Sequence, residues 1–214
     1  MNKFTFIGML MVLLSLFGCI EKSENKVEKV SNVSDEELLK SIQDFKNRPM
    51  YKDLTEQIID KTSDDKLLEI VCDNLIEKQP EEYNKEFETV MSWNESQQAI
   101  YLIMLLEGEV NNGGFNQFYS NSSGQYNKYL PKALNLVGAK KFAELTSEAN
   151  NTFENENKKI SKDQDGTLEG FSKSYKDNPL NNYDDKFYDL YKFENLHGMQ
   201  VNYIRKHKKD FIDN

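Results

Sequence analysis

Residues 109–124, EVNNGGFNQFYSNSSG, gather amide and hydroxyl side chains around a pair of glycines. Asn111, Asn112, Gln117, Tyr119 and Asn121 offer the donors and acceptors that line small-ligand pockets and amide-rich active sites. Glu107 and Glu109 stand beside them, and paired carboxyl groups are the usual equipment for general acid and base work. At i and i+2 on a helix, however, two side chains point apart, which argues against shared chemistry. Cys72 sits in LLEIVCDNLI among helix-spaced apolar residues and reads as a small core residue, not a nucleophile. His197 and His207 lack the spacing and companions of zinc ligands. DQDG at 163–166 carries part of a calcium loop, but placing Asp163 and Asp165 at its third and fifth positions puts Ser161 at the first ligand. Ser172 then falls where the bidentate Glu belongs, so Asp-Gly turn chemistry explains the stretch. No phosphate loop or nucleophile elbow is present. The expectation is a protein with no catalytic residue, no metal site and no cofactor.

The elements that must position these residues are helical throughout. Ser34 and Glu37 form an S-x-x-E capping box before Leu38, Leu39, Ile42 and Phe45, an amphipathic helix. Ser63 precedes a segment opening on Asp64 and Asp65, with Leu67, Leu68, Val71, Cys72 and Leu75 as its apolar stripe. Pro80 is expected to end that helix and to occupy the first turn of the next, where Tyr83, Phe87, Val90 and Met91 keep helical spacing. Asn94 and Gln97 make another cap, leading into AIYLIMLL at 99–106, apolar nearly all round and therefore a central helix. Gly113 and Gly114 can take left-handed conformations that close this helix and turn the chain. Phe115, Phe118 and Tyr119 then share one face of a short helix, and Asn121 to Gly124 punctuate the next turn. Pro131 and Gly138 bracket a further short helix, and Phe142, Leu145, Ala149 and Phe153 stripe another. Residues 154–166 read as a charged linker. Thr167 to Tyr175 reads as a helical piece, followed by one or two final helices that Gly198 kinks or divides. No alternating strand pattern competes. The fold class is all-α, a bundle-like packing of helices with short turns.

The N-terminus carries an address. Met1 to Lys3 give a short cationic start, Phe4 to Phe17 an apolar run too short to span a bilayer, and the run ends at LFGC. Leu16, Gly18 and Cys19 match the bacterial lipobox, with Phe17 as the departure from its usual small or polar residue. The expectation is a signal peptide over 1–18, lipid on Cys19 and a tether over 19–33, placing the protein on a membrane of the cell envelope. Within the remainder, 34–79 reads as acidic helices and 80–212 as a second helical domain. If Cys19 carries lipid, Cys72 is left without a disulfide partner, since these are the two cysteines of the chain.

Taken as a whole, N-G-G-F-N-Q-F-Y-S-N-S-S-G, ALNLVGA at 133–139, DDKFYDLYKFENL and YIRKHKKDF resemble the C-terminal domain family named after a bacterial DNA mimic protein. The resemblance covers about residues 80–212 and, beyond an all-α binding protein, implies no catalytic residue. Its motif positions are Asn111, Asn112, Gly113, Gly114, Phe115, Gln117, Phe118, Asn121 and Gly124. The founding member's surface carboxylates imitate DNA phosphates and occupy a transcription factor.

Charge bears on that mimicry. The chain carries 36 acids against 27 Lys and Arg, net -9, which argues against direct nucleic-acid binding and suits a basic protein partner. Residues 32–110 hold 19 acids and 8 bases, whereas 111–214 hold 14 and 15. The candidate partner-binding face is therefore Asp64, Asp65, Glu69, Asp73, Glu77, Glu81 and Glu82, continued by Glu86 and Glu88. The bland alternative is that these acids only solvate outward helix faces. An exported lipoprotein does not meet transcription factors, so an extracytoplasmic basic partner is the expectation, with a cytoplasmic DNA mimic as the alternative if the lipobox is unused. A ligand-binding or enzymatic role for the 111–121 corner is the other alternative.

Overall fold

The computed structural model describes residues 34–213, and the segments expected to be a signal peptide, a lipidated Cys19 and a tether lie outside the described residues. These residues fall into two units, 34–50 and 51–213. Among them there are helices and no strand.

The first unit is one helix, α1, Asp35–Lys46. Ser34 Oγ accepts from the Glu37 amide at 3.2 Å and Glu37 Oε2 accepts from the Ser34 amide at 2.9 Å, the reciprocal cap read from the sequence. No residue of α1 is buried.

The second unit contains α2 Glu56–Lys61, α3 Asp64–Glu77, α4 Glu86–Ser92, α5 Glu95–Ser120, α6 Leu130–Val137, α7 Lys140–Ile160, α8 Leu168–Lys173, α9 Asn181–Leu190 and α10 Leu196–Lys206. α5 is the axis, as its apolar sequence demands: Ile100, Ile103 and Leu106 are fully buried, and α3, α6 and α9 pack along it. Asn94 Oδ1 caps its start through the Gln97 amide at 2.9 Å. α6 begins with Pro131 in its first turn and stops at Gly138, whose φ of 91° is the left-handed closure expected there.

Three expectations are corrected, and one helix was not anticipated. The helix anticipated from Pro80 begins only at Glu86, after a 3-10 turn at Tyr83–Lys85. Tertiary contacts set that start, because Phe87 stacks on Tyr126 at 5.4 Å and Glu86 Oε1 accepts from the Tyr101 hydroxyl at 3.1 Å. The charged stretch 154–166 is a connection only from Ser161: helix carries on past a break at Glu156 (φ -111°, ψ 15°) to Ile160, which is 2% exposed and anchors the end of an otherwise solvated segment. Gly198 neither kinks nor divides the final helices. The division falls between Leu190 and Leu196, and Gly198 sits in the first turn of α10, its amide donating to the Asn195 cap at 3.0 Å. Finally, α2 lacks an apolar stripe long enough to be read from sequence, and forms because Thr55 caps it and Ile59 is wholly buried.

Candidate functional site

The NNGGF corner is a break inside α5. Gly113 (φ -155°, ψ 25°) and Gly114 (φ 71°, ψ -175°) leave the helical basin, and helix resumes at Phe115. Only Gly114 takes a positive φ, so the expectation of left-handed freedom holds for one of the two glycines. A break exposes backbone groups that the helical ladder would otherwise satisfy, and three distant side chains supply partners. Asp184 Oδ1 accepts from the Phe115 amide at 2.8 Å, acting as an N-cap delivered from 69 residues away. The Tyr188 hydroxyl donates to the Val110 carbonyl at 2.9 Å, and the Tyr175 hydroxyl to the Gly113 carbonyl at 2.7 Å. These approaches leave no room for a Cβ. One at Gly114 would stand 2.3 Å from Asp184 Oδ2, and one at Gly113 would stand 2.7 Å from the Tyr175 hydroxyl.

Beside the break, Glu109 collects the polar side chains of the corner. Its carboxylate accepts from Gln117 Nε2 at 2.7 Å, Asn121 Nδ2 at 2.8 Å and Ser123 Oγ at 2.8 Å, while Asn112 Nδ2 donates to Gln117 Oε1 at 3.0 Å. Asn111 projects into solvent. Phe115 and Phe118 are fully buried, and Phe115 meets Phe187 of α9 edge to face at 5.9 Å. Tyr119 stacks on Phe153 at 4.2 Å, and burial pushes its hydroxyl pKa up. Gly124 lies so near the preceding turn that a Cβ would be 2.9 Å from the Tyr119 carbonyl oxygen. Each glycine, aromatic and amide of the motif except Asn111 thus has a packing or hydrogen-bonding role within the fold.

Asn116, not singled out from sequence, is the buried centre of a second network. Its Nδ2 donates to Ser174 Oγ at 2.8 Å and its Oδ1 accepts from Asn178 Nδ2 at 2.8 Å. Gln164 of the DQDG stretch joins by donating to Ser120 Oγ at 2.5 Å, and Asp165 accepts from the Thr167 amide at 3.0 Å, a turn and not an ion loop. Among the described residues no group of His, Cys, Asp or Glu is arranged to hold a metal.

Glu107 and Glu109 serve separate networks, as their spacing requires. Glu107 accepts from the Tyr191 hydroxyl at 2.6 Å and from Gln200 Nε2 at 3.0 Å. Desolvation raises its pKa, outweighing these two hydrogen bonds. Cys72, in α3, is buried, and its thiol pKa is pushed far up by burial and by Asp73, Glu107 and Glu69. That is the inert sulfur expected of a core cysteine.

One constellation escaped the sequence. Ser96 Oγ donates to Asp210 Oδ2 at 2.5 Å and accepts from the Tyr203 hydroxyl at 2.8 Å. His207 Nδ1 lies 3.9 Å from Asp210 Oδ2. The order is serine to aspartate to histidine, so no imidazole is placed to take the serine proton, and Ser96 is 5% exposed. The cluster works as a clasp between the C-terminal turn and the start of α5, reinforced by Asn94 Nδ2 donating to the Asp210 carbonyl at 2.8 Å. His197 is exposed and stands apart from it.

The proposed acidic face is redistributed by folding. Asp64 pairs with Arg205 at 2.6 Å, Glu69 with Lys66 at 3.3 Å, and Glu82 with Lys85. Asp73 is 7% exposed and takes no part in any outer surface, because its position on α3 turns inward beside Cys72 and Asn74. Ser63, hydrogen-bonded to Asp65, holds that carboxyl below its ordinary pKa. Lys208 binds Asp60 at 2.9 Å and Glu56 at 3.1 Å, so bases near the C-terminus neutralise acids near the start of the unit. Glu77, Glu81 and Glu88 are exposed, and no ion pair joins them to another described residue.

Among the described residues no helix is long and apolar enough to cross a membrane. No curated protein and no solved structure matches the chain. The profile of the family described as DMP19-like protein matches residues 91–207, more than half of the chain, from the end of α4 to the end of α10. That span holds both halves of the helix break and the Asp184 cap that joins them.

Proposed function

We propose, from the premise that this chain belongs to the DMP19-like family, that it is a non-enzymatic binding protein held on a membrane of the cell envelope by lipid on Cys19. In this reading it engages a basic protein through exposed carboxylates. The observation that carries it is Glu77 at the end of α3, Glu81 on the connection after it and Glu88 in α4, all exposed and without a cationic partner among the described residues. Carboxylates that no internal cation neutralises are the ones free to steer and register a cationic surface. The corner supports the same reading from the other side. Its donors at Gln117, Asn121 and Ser123 are already given to Glu109, leaving little there to bind a substrate.

The test is chemical cross-linking in intact cells with wild type and a Glu77→Lys, Glu81→Lys, Glu88→Lys triple variant, together with fatty-acid labelling of wild type and Cys19→Ala. A basic envelope protein cross-linked to wild type at low salt, and lost in the triple variant, is the expected outcome. An identical cross-linked set in both would overturn the surface. An unlabelled protein confined to the cytoplasm would instead return DNA mimicry as the mechanism.

A further inference from the structure

α1 stands apart in character from the helices after it. It is capped at its start by its own Ser34 and Glu37, it is amphipathic, and none of its twelve residues is buried. Leu38, Leu39, Ile42 and Phe45 recur at i, i+1, i+4 and i+7, so they share one side of a helix turning 3.6 residues per turn. Leu39 is 65% exposed. At the end of this stripe the Arg48 guanidinium lies 3.7 Å over the Phe45 ring and donates to the Phe45 carbonyl at 2.8 Å. A guanidinium stacked on the ring face is a cation–π contact, and it sets a cation at the C-terminal rim of the apolar stripe.

We infer that α1 lies in the plane of the lipid surface that carries the Cys19 lipid, its Leu38, Leu39, Ile42 and Phe45 face seated at the boundary between headgroups and acyl chains. The inference rests on the lipid attachment proposed above. Its occupant follows from chain length: fourteen residues, 20–33, separate Cys19 from Ser34, a reach of no more than ~50 Å even fully extended. A helix tethered so closely meets its own membrane at high effective concentration, where a modest apolar face suffices. The charges decide the kind of lipid. Residues 34–50 hold four acids, Asp35, Glu36, Glu37 and Asp44, against three bases, Lys40, Lys46 and Arg48, so attraction to anionic headgroups adds nothing. Contact is therefore apolar, suited to zwitterionic lipid and indifferent to salt. It gives the anchor a second foothold beside the acyl chains.

Hydrogen exchange on the full mature lipoprotein in phosphatidylcholine vesicles tests this, with Leu39→Glu on the apolar side and Asp44→Asn on the polar side, both acylated. Backbone amides of 38–45 are expected to exchange on the order of tenfold slower in wild type and Asp44→Asn than in Leu39→Glu, with α5 and α7 unchanged. Equal exchange in all three while the protein floats with the vesicles would overturn the inference and leave the lipid anchor standing. Failure to acylate and float would overturn the anchor itself and the inference with it. If Cys19→Ala, without vesicles, shows the same protection and it grows with protein concentration, the face is covered by a second copy and the inference is wrong.

Discussion

Replacing Asp184 with Ala removes the acceptor that serves the Phe115 amide across the helix break. Phe115 is fully buried, so its N–H finds no water in exchange. Losing a charge-assisted hydrogen bond and stranding a buried donor costs about 2–3 kcal/mol. For a unit of this size each kcal/mol shifts the melting point by about 2–4 °C, which predicts a drop of about 4–12 °C. Asp184→Asn keeps an acceptor oxygen and should lose about half as much. The exposed neighbour Asp185→Ala is the control and should stay within about 0.5 kcal/mol. Gly114→Ala supplies the second axis of a double-mutant cycle. In wild type it meets both the positive φ and the Asp184 carboxylate. With Asp184 already Ala only the backbone strain remains, about 1–3 kcal/mol, so the two costs should fall short of additive by more than about 1 kcal/mol. Denaturant titration followed by circular dichroism reads all of these. A loss at Asp184→Ala no larger than at Asp185→Ala, or strict additivity with Gly114→Ala, would refute the account of the corner as a capped break.

Three further outcomes are expected. Because burial raises the Glu107 pKa, the folded state holds its proton longer than the unfolded chain, so stability falls as pH rises from the ordinary carboxylate value through the raised one. Glu107→Gln should flatten that slope in stability measured against pH, and at neutral pH should cost less than about 1 kcal/mol, since a turned Gln200 amide can bring its unpartnered Oε1 to the new donor. Asp213 behaves oppositely: burial pushes its pKa up, but Lys78, the Leu54 amide and Asn74 outweigh it, and the carboxyl ends below its usual range. Its stabilisation is present above the ordinary carboxylate pKa and is lost as pH falls through the lowered one, and Asp213→Ala should cost about 1–2 kcal/mol at neutral pH by thermal melting. Gly124→Ala forces a methyl against two backbone carbonyls and should cost about 1–3 kcal/mol in denaturant titration, with the all-helical circular dichroism retained.

The family motif was legible as a corner because its residue types are local instructions. Two adjacent glycines weaken a helix by about 1 kcal/mol each, which favours a break there, and Phe115, Phe118 and Tyr119 share a face only if helix resumes at once. What completes the corner was not legible: Asp184, Tyr175 and Tyr188 are unremarkable acids and aromatics until the fold brings α8 and α9 to the break. Asn116 was hidden for the same reason, since its partners Ser174 and Asn178 lie 58 and 62 positions along the chain. The Ser96 clasp joins residues 114 positions apart and has no periodic trace.

The sequence by itself determined the helical class, the capping of α1 and α5, the apolar axis at 99–106 and the closure of α6 at Gly138, because each follows from spacing and backbone preference within a few residues. It also determined how much charge each half carries. Only the tertiary structure decided where that charge acts. Arg205 and Lys208 reach back to Asp64, Asp60 and Glu56, Asp73 turns inward, and Glu77, Glu81 and Glu88 are among the exposed acids that no cation of the described residues pairs. Coulomb attraction depends on distance in space, and the order of residues along a chain does not give that distance.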